Sequence, residues 1–432
     1  MMMSAEERAA LQARLFSQNQ FAMKLGLDAM RAAFEREGGP QRHAPAALIA
    51  GTNGKGTTAA CLHAILVAHG ERSGLYTSPH ISRLAERFRV QGRPVADDVM
   101  WAMVARVMAE YADGPHRLTF FELTTLIAAL LFEQERTTLD VYEIGLGGRL
   151  DAVNAIEPAV SIITTIGYDH QQYLGDTLTA ITNEKCGILR EGVPAIIGPQ
   201  EYDEASSAFD ARLSDGALYY GRHFWASAEG ICIDGGPVVA WAAGVALVAL
   251  QQRHAATAWM GARQLLGARF DAGRAMAGLE AVRWPGRMQA LDAEVGGARG
   301  RFLLDAAHNL DGVRALFEQI ASSGRRIGAV VCGGMADKAL ERMFEPLGAL
   351  GAPVFGVLIG NARAADRARL EAAIPAGALR SCGAAGEQLG AAAAACGEGE
   401  EVLVYGSIYL LGECFEALGM GDAPGAVLSD LI

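Results

Sequence analysis

Short apolar runs alternate along the chain with longer stretches whose apolar residues recur at helical spacing. Residues 5–37 read as helices with a break near Gly26, and Gly38–Pro45 as a loop. The run Ala46–Ala50 predicts a buried strand, and Ala59–His69 a helix. A second strand is expected over Arg72–Tyr76. Glu86–Gly92 alternates like an exposed strand with a turn. Helices are expected over Ala96–Tyr111 and from Leu118 to about Glu135, then strands over Leu139–Ile144 and Ala159–Thr164. Strands alternating with helices predict a parallel sheet covered on both faces, an α/β fold.

From about Ser214 to Ala243 the pattern falls into short β-like pieces rich in glycine, followed by two helices within residues 244–282. Trp284-Pro-Gly-Arg287 breaks the pattern. A second alternating series follows, with strands near Phe302, Gly328–Cys332, Pro353–Leu358 and Glu401–Tyr405. This predicts a P-loop mononucleotide-binding parallel-sheet domain over 1–290 and a smaller Rossmann-like α/β domain over 291–432. The second lacks the dinucleotide fingerprint after its first strand. Ala384–Gly399 reads as a small-residue helix rather than a linker.

Composition narrows the classes. At 432 residues, 51% hydrophobic and 20% charged, the chain suits two globular lobes with large cores. A formal net charge of -12 argues against broad binding to nucleic acid or anionic membrane, so an anionic ligand must be met by local positive groups. The 7 cysteines are scattered with no C-x-x-C, which fits reduced thiols rather than a zinc ribbon or disulfide framework. The first residues show no signal-peptide core, and no apolar run is long enough to span a membrane. A cytoplasmic location is expected.

The chemistry concentrates where strands end. After Ala50 comes Gly51-Thr52-Asn53-Gly54-Lys55-Gly56-Thr57-Thr58. Strand, glycine loop and helix form the setting in which backbone N–H groups and the helix N-terminus cradle phosphates. Lys55 can reach terminal phosphate oxygens, and Thr57 or Thr58 can offer a hydroxyl to Mg²⁺. The strict pattern G-x-x-x-x-G-K-[ST] is not met, because Ile49 stands at its first glycine and Gly56 separates Lys55 from Thr57. Glu143 ends an apolar strand ahead of Gly145-Leu-Gly-Gly-Arg149-Leu150-Asp151, the place for a metal-holding carboxylate. Thr77-Ser78-Pro79-His80 ends the neighbouring strand, where Ser78 can give oxygen to Mg²⁺ or simply make a turn. His170, after Asp169, is a candidate ligand or acid/base, or a structural histidine. Lys185 lies in a helical stretch, and its residues alone do not separate a functional lysine from one in a salt-bridged turn. Asp305 and His308 follow the first strand of the second series, and Arg287 lies where the two series join.

Taken in order, GTNGKGTT (51–58), YTSPHI (76–81), ERFRVQG (86–92), LTFFE (118–122), EIGLGGRLDAVN (143–154), DHQQYLG (169–175), NEKCGILR (183–190), WPGR (284–287), DAAHN (305–309) and YGSIYLLGE (405–413) resemble the folylpolyglutamate synthase/dihydrofolate synthase family, a branch of the Mur ligase superfamily. The resemblance implies an ATP-dependent amide ligase that adds L-glutamate to dihydropteroate and to reduced folates through an acyl phosphate. Gly51, Thr52, Asn53, Gly54, Lys55, Gly56 and Thr57 would form the ATP phosphate cradle, with His254, Arg287, Asp305 and His308 as further nucleotide contacts. Ser78, Glu143, His170 and Thr57 would hold magnesium, with two ions expected. Lys185 matches a lysine carbamylated in the family, and with Lys55 and His170 it makes up the expected catalytic set. Thr119, Phe120, Phe121, Glu122, Leu150, Asp151 and Ala152 would contact the pterin substrate. Partners are expected to be small molecules only, and the chain a monomer.

Three positions depart from the family pattern. His254 stands where asparagine is common, Val153 where threonine is usual, and Lys24 where aspartate is frequent. Other readings are a Mur-type ligase of peptidoglycan precursors, a non-ligating P-loop NTPase and a degenerate folate-binding protein. LTFFE and the lack of a UDP-binding domain before the P-loop speak against the first. DAAHN in a second lobe speaks against the second, and Lys55, Glu143 and Lys185 against the third.

Overall fold

The computed structural model describes residues 3–18, 26–213 and 216–420. Lys24 lies outside them. The described residues form two compact units. The first takes residues up to His80 and Leu84–Val282; the second takes Ile81–Arg83 and residues from Arg283 onward.

The first unit is built on an eight-stranded sheet. Its order is Arg93–Pro94, Phe88–Val90, Ser73–Tyr76, Leu139–Glu143, Ala46–Ala50, Pro158–Ile163, Ala195–Ile197 and Leu218–Tyr219. From Ser73–Tyr76 to Leu218–Tyr219 every pair is parallel, and the two short strands at the other edge run antiparallel. Ala46–Ala50 is central and wholly buried, which is why it reads as an unbroken apolar run without alternation. Its register with its neighbours, Ile49 opposite Glu143 and Ala50 opposite Ile163, brings three strand ends out at one level. Loops from the carboxyl ends of such strands frame the usual ligand crevice of an open parallel sheet.

The helices follow the expected pattern. Lys55–Ala68 and Phe120–Gln134 carry long buried stretches, and Ala249–Leu266 and Ala272–Glu280 supply the two helices expected after the glycine-rich segment. That segment forms a three-stranded antiparallel sheet, Phe224–Ala226, Gly230–Ile233 and Val239–Ala240. One expectation fails: the strand within Glu86–Gly92 is not exposed. Phe88–Val90 pairs with Ser73–Tyr76, and Arg89 is only 1% exposed, its guanidinium pushed down to about 10 by burial. Alternating charge there marks buried polar side chains rather than a solvated face.

The second unit holds a six-stranded sheet in the order Gln289–Val295, Ala298–Asp305, Glu401–Tyr405, Ile327–Cys332, Val354–Val357 and Leu379–Gly383. All its pairs are parallel except the first, a hairpin turning at Gly296-Gly297. The outer strands 289–295 and 379–383 went unread in the sequence, because both are partly exposed and weakly apolar. Ala385–Ala395 is the small-residue helix expected there. All seven cysteines are free, and among the described residues no helix is long and apolar enough to cross a membrane.

Helix Phe120–Gln134 starts with a capping box. Thr119 Oγ1 accepts from the Glu122 backbone N–H, and the Glu122 carboxylate accepts from the Thr119 N–H at 2.8 Å. Thr119→Ala is expected to lower the stability of the first unit by about 1 kcal/mol, read as an earlier midpoint in urea unfolding.

Candidate active site

Gly51 to Thr57 form the turn from the central strand into helix Lys55–Ala68. The loop is clipped to the neighbouring strand end. Thr52 N–H donates to Thr165 O at 2.7 Å, Thr52 Oγ1 pairs with the Gly167 backbone, and Thr164 Oγ1 donates to Asn53 O at 2.8 Å. Gly54 caps the helix with φ of 85°, a left-handed conformation that favours glycine. A Cβ there would also stand 2.1 Å from the His254 ring. His254 therefore roofs the loop. It is buried, burial and Arg253 hold it neutral with its pKa pushed down to about 4, and its Nδ1 has no hydrogen-bond partner. Gly56 and Thr57 occupy the helix's first turn, with Thr57 buried.

Two lysines meet on one carbonyl. Lys55 Nζ donates to Gly51 O at 3.1 Å and to Thr52 O at 3.2 Å, and Lys185 Nζ donates to the same Gly51 O at 2.8 Å. Lys185 is 4% exposed, which removes the reading of a lysine in a surface turn. Burial first, and then Lys55, push its pKa down to about 7, while Asp169 and Asp151 act in the opposite direction. Lys185 is fixed from below: a Cβ on Gly148 would lie 2.8 Å from the Lys185 carbonyl, so the glycine turn runs directly against that helix end. Arg149 N–H donates to Glu184 O at 2.9 Å, and its guanidinium binds the Glu184 carboxylate.

Glu143 accepts from the Ser78 backbone N–H at 3.0 Å, so the two candidate metal positions are brought together by a direct bond. His170 sits in the left-handed region at φ 52°, starting the short helix Gln171–Leu174, with Nε2 3.8 Å from Asp169 Oδ2. Such a backbone in a non-glycine residue is costly and concentrates at functional sites. Among the described residues no three His, Cys, Asp or Glu side chains converge as a ready metal cage. Mg²⁺ does not require one: it binds through one or two carboxylates, with water and phosphate oxygens completing its shell. Glu143, with the Ser78 and Thr57 hydroxyls on adjoining segments, is a donor set of that kind.

The expected substrate residues divide. Asp151 is buried: one oxygen accepts from Gly145 and Leu146 N–H at 3.0 and 2.9 Å, and the other accepts from Val153 N–H at 3.0 Å. Burial raises its carboxyl to about 7 against those donors and Lys55. Val153 takes part through its backbone, so valine in place of threonine leaves this turn intact. Phe121 lies under the glycine turn, its ring 2.5 Å from where a Cβ on Gly145 would be, and beside Tyr76. Phe120 points elsewhere, into a cluster with Phe16 and the Arg87 guanidinium. Thr119 and Glu122 are engaged with each other in the capping box. Leu150 is half-buried and Ala152 buried.

In the second unit, Asp305, Arg287 and His308 form one cluster. Asp305 accepts from Met288 N–H at 2.9 Å and from Ala307 N–H at 2.8 Å. Ala306 N–H and Arg287 Nη1 both donate to Gly286 O, which ties WPGR to DAAHN. Burial raises the Asp305 carboxyl, opposed chiefly by Arg287. His308 Nδ1 donates to Ala306 O at 2.8 Å. Sequence reading missed several supports. Thr164 braces the loop, and Gln200 braces Thr164 O at 2.8 Å and Ile166 N at 3.0 Å. Asn154 joins Arg149 O to Gly187 O. Their only signal is a polar residue placed just past an apolar strand or a glycine turn.

Residues 49–209 match the Mur ligase middle domain. A dihydrofolate synthase/folylpolyglutamate synthase of Bacillus subtilis is 30% identical over 357 residues, 76% of this chain and 79% of that protein. The chain belongs to the dihydrofolate synthase/folylpolyglutamate synthase family. The Escherichia coli member is 36% identical over 273 residues, an alignment that takes in 60% of each protein. The E. coli structure in complex with DHPP and ADP superposes with a TM-score of 0.83 at 28% identity, covering 96% of this chain and 98% of that one. The Yersinia pestis bifunctional enzyme, solved with AMPPNP and Mn ion, gives a TM-score of 0.79 at 28% identity, covering 95% and 98%. Mixed α/β architecture with a parallel-rich sheet and a second sheet unit is thus the family's fold.

Gly54→Ala is expected to strain the loop by about 1–3 kcal/mol and to push His254 away. Calorimetric titration with ATP should show markedly weakened binding, and adding His254→Ala should recover only the part due to the clash.

Proposed function

We propose that this protein is an ATP-dependent ligase that joins L-glutamate to the carboxylate of dihydropteroate and to that of reduced folates. The observation that carries the reading is the convergence of Lys55 and Lys185 on the Gly51 carbonyl beside the Ser78–Glu143 pair. That arrangement sets the Lys55 cation, the Lys185 amine and hard oxygens at the strand ends where a triphosphate and its divalent ion would sit. Family membership and a relative solved with AMPPNP and Mn ion support ATP and a divalent metal as cofactors.

A carboxylate is a poor electrophile, so the acceptor must first receive the γ-phosphoryl group. Lys55 leaves its loop carbonyls and holds the γ-phosphate as charge moves. Glu143, Ser78, Thr57 and His170 would hold magnesium, two ions in all, which would supply positive charge against the transferring group. Thr119, Phe120, Phe121 and Glu122 at a helix start, and Leu150, Asp151 and Ala152 after the glycine turn, contact the pterin. The glutamate amine then attacks the acyl phosphate, the amide forms and phosphate leaves. Arg287, Asp305, His308 and His254 are nucleotide contacts. The protein acts as a monomer in the cytoplasm.

Lys185 is carbamylated in the working enzyme. Its neutral amine adds carbon dioxide and releases a proton, leaving a carboxylate-like group beside Lys55. With the amine pKa near 7, the neutral form that reacts is scarce well below that pH and predominates above it. At fixed dissolved ¹³CO₂, the carbamate ¹³C signal of the wild-type protein should therefore grow from pH 6 to pH 8. It should be absent in Lys185→Ala, whose activity short carboxylates should partly restore. An unmodified amine across that range would refute the adduct.

The decisive experiment is phosphate release with ATP and glutamate, supplied with dihydropteroate, tetrahydrofolate or a UDP-linked muramyl peptide. Release is expected with both pterin substrates and not with the peptide. It should be largely lost in folded Lys55→Ala protein. Near-normal turnover by that variant would remove Lys55 from the reaction.

A further inference from the structure

Gln200 lies outside every sequence motif of the family resemblance, yet its carboxamide is fully engaged. Nε2 donates to Thr164 O at 2.8 Å and to Gly198 O at 3.0 Å, and Oε1 accepts from Ile166 N–H at 3.0 Å. The amide thus ties the end of strand Ala195–Ile197 to the end of strand Pro158–Ile163. Residues 164–167 are in turn the wall on which the phosphate loop leans. Thr164 N–H donates to Ala50 O at 2.8 Å, and Thr164 Oγ1 donates to Asn53 O at 2.8 Å. Thr165 O accepts from Thr52 N–H at 2.7 Å, and Thr52 Oγ1 pairs with Gly167 N and O at 3.0 and 3.1 Å. A Cβ on Gly51 would stand 1.8 Å from Thr164 Oγ1, so that hydroxyl lies directly against the loop's first glycine. The Gly51 carbonyl, where Lys55 and Lys185 meet, is therefore flanked on both sides by residues tethered to backbone that Gln200 holds. The next residue braces the opposite wall. Glu201 binds the Arg253 guanidinium at 2.6 Å, and Arg253 precedes His254, the ring over Gly54.

We propose that Gln200 is a positioning residue for the nucleotide: by holding residues 164–167 it keeps the phosphate loop in the shape that binds ATP. It acts through that backbone and not by contact with the nucleotide. The inference rests on the ligase reading above, and only on its nucleotide part. Two carbonyls and one N–H face the side chain, which calls for two donors and one acceptor on a single planar group. Glutamate keeps the size but sets an acceptor-only group against two carbonyls. Methionine fills the space and leaves the three backbone groups without this partner.

The test is calorimetric titration with ADP, joined to steady-state kinetics, on wild type, Gln200→Met, Gln200→Glu and Asp271→Ala. Asp271 caps helix Ala272–Glu280 in the same unit, so its variant loses stability without touching the loop or its wall. Circular dichroism checks folding, and Gln200→Met, which adds no charge, decides if Gln200→Glu does not fold. Both Gln200 variants should bind ADP about tenfold more weakly and raise KM for ATP by a similar factor, with KM for tetrahydrofolate changed less than about twofold. Asp271→Ala should keep the wild-type affinity for ADP. Folded Gln200→Met that binds ADP within about twofold of wild type overturns the positioning role. So does an equal loss of affinity in Asp271→Ala, or an equal rise in KM for ATP and tetrahydrofolate. Wild-type protein that binds no ADP overturns the nucleotide reading and the positioning role with it. Wild-type protein that binds ADP but ligates glutamate to neither acceptor overturns the ligase reading alone, and the ADP titrations still judge Gln200.

Discussion

The site depends on the Gly51 carbonyl. One oxygen takes hydrogen bonds from both Lys55 and Lys185, so two side chains that repel each other as cations are held within a few ångströms in a buried place. The tension is relieved in part by the depressed pKa of Lys185, and in part by Asp151 and Asp169. A single acceptor atom thus ties the geometry of the glycine loop to the electrostatics of both lysines.

The surrounding structure keeps that oxygen in place. The unbroken apolar strand Ala46–Ala50 fixes where the loop begins, and parallel pairing sets the Glu143 and Ile163 ends level with it. Thr164 and Gln200 then stop the loop from tilting, and His254 covers it from the far side. The bracing contacts of Thr164 and Gln200 are part-buried hydrogen bonds, whose loss would leave polar groups unpaired.

Much of this was legible in the chain, for physical reasons. A strand buried on both faces is mostly apolar, and Ala46–Ala50 is recognisable on that ground, whereas Leu139–Glu143 is as deeply buried yet carries Asp140 and Glu143. The glycine loop shows because few other sequences permit its backbone. What stayed hidden depends on the third dimension. Edge strands 289–295 and 379–383 carry no apolar run. The burial of Arg89 comes from the layer laid over it rather than from its neighbours in sequence. Thr119 and Glu122 have polar groups suited to a ligand or to a helix cap, and composition did not show that they also pair with each other in a cap. Phe120 and Phe121 are adjacent yet face different clusters, because successive helix positions turn away from each other.

The bond from Lys185 to Gly51 joins residues 134 apart in sequence, and Thr52 meets Gly167 across 115. The parallel pairing of Ala46–Ala50 with Pro158–Ile163 closes a loop of similar length, so sheet, brace and second lysine all depend on long-range closure. A newly made or partly unfolded chain would therefore possess the glycine loop without its second lysine or its brace. Nucleotide would find its full set of partners only in the finished first unit, and by binding there it would act as a thermodynamic latch on the completed fold rather than as a guide to reaching it.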